Sequence, residues 1–150
     1  MEDEVREDDI AAATPTTLCR AAGGMLGAAG FVTMAVAVQI FSSLRVFGWF
    51  NVVLAAMIAV GVASMALGAM IMRARDWAAS IAVVLAPVML VLCCAWVFLS
   101  FRGGVFSMLA LMSVGLSMLS SLMVPLAMKD CDKASEARRA LARAGLDLGT

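Results

Sequence analysis

Histidine and tyrosine do not occur in the 150 residues, and only 15% of the chain is charged. Without histidine the chain loses imidazole metal ligands, histidine ligation of haem and the commonest general base. The charges that remain balance, 11 basic against 11 acidic, so no electrostatic footprint points to nucleic acid. Where charge is missing matters more: no Asp, Glu, Lys or Arg falls inside four long apolar blocks, Ala21–Ser43, Val46–Met72, Trp77–Ser100 and Gly103–Met128. Proton relays, ion-coupled transporters and voltage sensors need an ionisable group at that depth. An activated nucleophile would lack a base as well, so the sequence reads as non-enzymatic, with no cofactor and no metal site expected. The four cysteines make no secreted disulfide framework, since Cys93 and Cys94 are adjacent within a block and Cys19 and Cys131 flank the first and last.

What the chain has instead is apolar length. Hydrophobic residues make up 63% of it, and the mean hydropathy is +0.99. Each block reaches the roughly 20 residues that cross about 30 Å of hydrocarbon as a helix. None alternates in polarity as a barrel strand would. The fold expected is an all-α integral membrane bundle of four antiparallel transmembrane helices, with spans at about 21–43, 50–72, 77–100 and 104–128. The transmembrane domain covers 15–128. Before it, residues 1–14 read as an acidic disordered tail. After it, 129–150 read as a polar tail or a short amphipathic helix at the headgroups. Thr14 is the expected N-cap of the first helix, with Pro15 at its first position.

Met72-Arg73-Ala74-Arg75-Asp76-Trp77 is the charged join between two apolar hairpins. The tips of both hairpins read Phe-x-Ser-x-Arg, at Phe41–Arg45 and Phe98–Arg102, which suggests a repeated hairpin. With the N-terminus cytoplasmic, nine basic residues from Arg6 to Arg143 fall inside, and only Arg45 and Arg102 fall outside. That distribution satisfies the positive-inside rule and places both termini in the cytoplasm of a cell-membrane protein.

Two sets of residues are candidates for function. Arg45, Trp49, Trp96 and Arg102 gather at the outer face, where they either anchor the hairpin tips or offer a weak binding surface for an anionic amphiphile or partner helix. Gly23 and Gly27 (with Gly30 on the same ridge), Gly61, Gly68, Ser113 and Ser117 lie on small-residue stripes that let helix backbones approach closely. On helix two, Ala56, Ala59, Ala63 and Ala66 form a further stripe of this kind. Met108, Met112, Cys93 and Cys94 are the one foothold for a soft metal, and Cys19 and Cys131 sit where acyl chains are usually attached. The function expected is that of an accessory, assembly or scaffold subunit acting through helix–helix contacts. Its partners would be the lipid bilayer and a membrane protein or a second copy, with no nucleic acid. The alternative is a small carrier or pore for a neutral, lipidic or soft-metal ligand.

Overall fold

The computed structural model describes residues 10–43, 49–73, 75–103 and 108–143, with side chains described for 10–41, 51–73, 75–98 and 108–143. The described residues form four long helices and no strand: α1 Thr17–Ser43, α2 Trp49–Met72, α3 Asp76–Gly103 and α4 Met108–Arg143. All four are long and apolar enough to cross a membrane. The chain is an all-helical membrane bundle.

Helix boundaries follow local chemistry. A helical turn at 10–13 ends where the Thr14 hydroxyl donates to Ala11 O at 2.6 Å. The cap of α1 is therefore Thr16 rather than Thr14: Thr16 Oγ1 accepts the Cys19 N–H at 3.2 Å, satisfying one of the helix's free donors. At the join, the Arg73 and Arg75 amides both donate to Met70 O, which closes α2. Asp76 then opens α3, where a carboxylate suits the positive end of the helix dipole.

Around the bundle, α1 packs most extensively on α2 and then on α4, α3 packs on α4, and α2 packs more sparingly on α3. Contact partners run in opposite directions along α1 and α2: Gly23 meets Gly68 while Gly30 meets Gly61. Many large residues point out and many alanines point in, although Leu26, Met57, Ile71 and Met89 are buried. Val84, Val91, Met108 and Leu126 are all at least 64% exposed, while Ala22, Ala29, Ala78, Ala82 and Ala86 are fully buried. Such a surface suits an apolar surrounding such as lipid, whose tails are as apolar as the side chains that meet them.

Helix α4 does not stop at the membrane boundary. Its apolar part, 108–128, spans about 31 Å, and the polar residues 129–143 continue the same helix for about another 22 Å. The sequence offered a separate headgroup helix or a solvated tail there. The extension instead packs on its own bundle, burying Ala134, Ser135 and Leu141.

Candidate functional site

The tightest contact in the molecule joins α1 to α2 through glycine. A Cβ placed on Gly23 would lie 2.6 Å from Gly68 O, and one on Gly68 would lie 2.5 Å from Gly23 O and 2.9 Å from Gly27 N. Two turns away the pattern repeats, with Gly30 facing Gly61 O at 2.5 Å and Gly61 facing Gly30 O at 2.8 Å. Gly23, Gly61 and Gly68 all lie at this contact. Gly27 lends its backbone to the contact, although a Cβ of its own would meet nothing within 4 Å. Gly30 is the more direct partner. Its signal is the matched spacing of seven residues, 23 to 30 on one helix and 61 to 68 on the other, which returns each pair to nearly the same face.

The hairpin of α3 and α4 packs differently. Helix α3 presents Ala78, Ala82, Ala86, Met89 and Cys93, all buried, and α4 presents Ser113, Ser117, Ser120, Val124 and Ala127. Among the described residues the glycine-to-glycine contact of the first hairpin has no counterpart here, since Gly115 on α4 meets nothing within 4 Å. Serine hydroxyls on α4 donate back to their own helix: Ser113 to Ala110 O, Ser117 to Ser113 O at 2.6 Å, and Ser120 to Leu116 O. Back-bonding of this kind lets a polar side chain lie in a low-dielectric interior without a partner on another helix.

One layer at mid-bundle draws on all four helices. Cys93 Sγ lies 3.6 Å from Thr33 Oγ1 and 3.7 Å from Ser117 Oγ, and the Ser64 hydroxyl donates to Met89 Sδ at 3.5 Å. Thr33 donates its own proton to Ala29 O at 2.8 Å. Among the described residues no buried side-chain nitrogen or oxygen lacks a hydrogen-bond partner. Nothing ionisable other than the cysteine thiol enters this layer.

Charge is concentrated where α4 overhangs. Arg138 donates through Nε to Ala13 O at 2.8 Å and through Nη1 to Arg73 O at 2.6 Å, tying together the start of the chain, the α2–α3 join and the α4 extension. Beside it Arg139, mostly in solvent, pairs with the half-buried Asp76 at 2.5 Å. Beneath this clasp Cys19 and Cys131 are fully buried, so the thiols suggested for acylation are closed to it. Cys131 lies past the apolar span among Lys129, Asp130, Asp132 and Lys133. Burial, and then the influence of the Cys19 side chain, push its thiol from 9.0 up to about 12.

At the opposite end the aromatic and Arg cluster does not assemble among described side chains. Trp96 is only 8% exposed and packs with Val36, Ile40, Leu54, Met57 and Ala110, which makes it a core residue rather than part of an exposed lining. Arg45 lies outside the described residues. Trp49 and Arg102 have described backbone in α2 and α3, but their side chains lie outside the described set. Nor are the soft ligands gathered: Met108 and Met112 point outward, and Cys94 is exposed while Cys93 is buried.

The features above define a class, a four-helix membrane bundle with a small-residue interior. The chain matches no family model, no curated protein and no solved structure.

Proposed function

We propose that this protein is a non-enzymatic multi-pass subunit of the cell membrane, with both termini cytoplasmic, that assembles with or scaffolds another membrane protein through helix contacts. The observation that carries this reading is the outward face of α1. The inward glycines Gly23 and Gly30 are consumed by α2, yet Ala21, Gly24 and Ala28 form a second small-residue ridge that is exposed, and a Cβ at Gly24 would meet nothing within 4 Å. In lipid, small residues on an outer face give a second helix room to approach closely. A four-helix bundle that needed only itself could carry large side chains there, as it does at Phe31 and Val38. The test replaces Gly24 and Ala28 with Leu and follows assembly in native membranes by size after gentle extraction. The reading expects loss of the larger species with the bundle's own thermal stability unchanged. An unaltered assembly size would overturn it. Orientation is tested separately: an impermeant thiol reagent should reach Arg45→Cys and Arg102→Cys from outside, and Arg75→Cys only from inside.

A second reading, a small carrier for a neutral or lipidic ligand, is favoured by one observation. An open apolar groove of about 370 Å³ runs along α3, lined by Ser80, Ile81, Val84, Leu85 and Val88. A photoactivatable lipid that labels this groove selectively over the equally exposed face of α4 would favour that reading over the scaffold.

A further inference from the structure

The groove on α3 starts one turn from the charged join and runs toward the middle of the span. Its lining, Ser80, Ile81, Val84, Leu85 and Val88, encloses about 370 Å³ and is polar only at Ser80. Ile81, Val84 and Val88 are 50%, 67% and 46% exposed, so no helix of this bundle fills it. From Ser80 to Val88 the helix rises about 12 Å. One leaflet of hydrocarbon is about 15 Å deep, half of the roughly 30 Å core. The groove therefore has the length and depth of a single acyl chain that enters from the charged end.

That end also carries what a headgroup needs. Trp77 precedes Ser80 by three residues and Ile81 by four, which puts it on the same face of α3, and it is 46% exposed. Tryptophan at this level favours the boundary between headgroups and hydrocarbon. Arg73 and Arg75 are exposed at the join. The Arg75 carbonyl accepts the Ala78 and Ala79 amides at 3.2 and 3.4 Å, which fixes its backbone to the first turn of α3. Among the described residues neither guanidinium makes an ion pair, because Asp76, the acid beside them, is paired with Arg139. Glu136 on the α4 extension is exposed nearby in the chain's charged end, but Arg138 and Arg139 flank it at the clasp and the surplus stays basic.

We propose that the α3 groove and the Arg73–Arg75 join form a site for one anionic phospholipid, with an acyl chain in the groove, Trp77 at the glycerol level and the phosphate at the two arginines. Guanidinium matches a phosphate in shape as well as charge. A soluble phosphate would meet the arginines and leave the groove empty, and a neutral lipid would fill the groove and leave the arginines unused. The proposal rests on the lipid-binding reading of the groove and adds the headgroup charge and the residues that select it.

The test uses full-length protein in phosphatidylcholine nanodiscs doped with a trace of lipid bearing a diazirine in its acyl chain, either phosphatidylglycerol or phosphatidylcholine. Adducts are mapped by peptide. Phosphatidylglycerol should label Ile81–Val88 in preference to the outward face of α4 at Met112 and Leu119. Each arginine should contribute about fivefold to the preference over phosphatidylcholine. Arg73→Gln combined with Arg75→Gln should therefore bring phosphatidylglycerol labelling of the groove down to the phosphatidylcholine level. Val84→Trp, at an exposed position, should remove groove labelling by both lipids. If a variant fails to fold, the wild type decides: its preference should fall in about 1 M salt, where the Debye length is about 3 Å. Equal labelling by the two lipids would overturn the proposal and leave the lipid-binding reading standing, whereas no groove labelling by either would overturn both. A preference that survives the arginine substitutions, or that salt leaves unchanged, would also overturn it. So would loss of the adducts on adding millimolar inorganic phosphate, which would assign the arginines to a soluble anion. A protein product from a photo-crosslinking residue at Val84 in native membranes would give the groove to a partner helix instead.

Discussion

Adding one methyl group at Gly68 tests whether α1 and α2 are held by backbone contact. The Cβ of Gly68→Ala would lie 2.5 Å from Gly23 O, 2.9 Å from Gly27 N and 3.1 Å from Gly27 Cα. All three obstacles are main-chain atoms of α1, so no flexible side chain can swing away. To restore an ordinary contact of 3.4 Å the helices must part by roughly 0.9 Å at this point. A radial gap of about that size forfeits a quarter to a half of each dispersion contact along the seam. Overpacking of this kind costs about 1–3 kcal/mol. Gly115→Ala is the matched control, since its Cβ meets nothing within 4 Å. There the substitution should be neutral or stabilising by up to about 1 kcal/mol through helix propensity. Adding Gly23→Ala to Gly68→Ala should cost less than the sum of the two singles, because one separation accommodates both methyl groups. The assay is reversible unfolding of each variant in the same lipid-like medium. Equal stability for Gly68→Ala and Gly115→Ala would refute the reasoning.

Three further outcomes follow from the same contacts. Ser117→Leu, at a fully buried position facing Cys93, should cost about 1–3 kcal/mol, whereas Ser117→Ala should cost about 0.6 kcal/mol, as membrane hydrogen bonds do on average. Met112→Ala is the outward control, since Met112 is exposed on the other face of α4; a larger loss for Met112→Ala than for Ser117→Leu would invert the packing. Arg138→Ala removes two charge-assisted bonds to main-chain carbonyls and should loosen the charged end by about 1.5–3 kcal/mol, read as faster hydrogen exchange at 10–13 and 134–141. For Cys131 the sign is set by its raised pKa. The unfolded thiol titrates near 9.0 and the folded one near 12, so its stabilising preference for the protonated form is complete below pH 9 and lost as pH rises toward 12. Wild-type stability should therefore fall more steeply than that of Cys131→Ser over this interval, and parallel curves would contradict the assignment.

The spans were legible because exclusion of charge from hydrocarbon acts residue by residue and leaves its mark on any window of sequence. The serine stripe was legible too, since a polar residue every three or four positions in an apolar helix has only one low-energy face to choose. Alanine carries no such information. Ala59 and Ala66, grouped with the contact stripe, are exposed, whereas Ala78, Ala82 and Ala86 on α3 form the buried face. A methyl group is equally content against lipid or against a neighbouring helix, so only the partner's shape decides. Trp96 misled for a related reason: a tryptophan near a span end belongs to the interface by preference, yet here it fills the bundle beside Ile40 and Ala110. The clasp at Arg138 left no trace because its acceptors are main-chain carbonyls, which every residue has. Packing of the α4 extension was hidden likewise, since 129–143 look solvated until Ala134 and Leu141 find the bundle's end.

The central claim is that this bundle meets another protein through the outward small-residue face of α1. A photo-crosslinking amino acid placed in turn at Met25 and Phe31, large residues that border the ridge without filling it, and at Val62 and Leu119, in native membranes, tests it most directly. The account predicts a discrete crosslinked protein product from Met25 and Phe31, and lipid adducts alone from Val62 and Leu119. Lipid adducts alone from all four positions would contradict it.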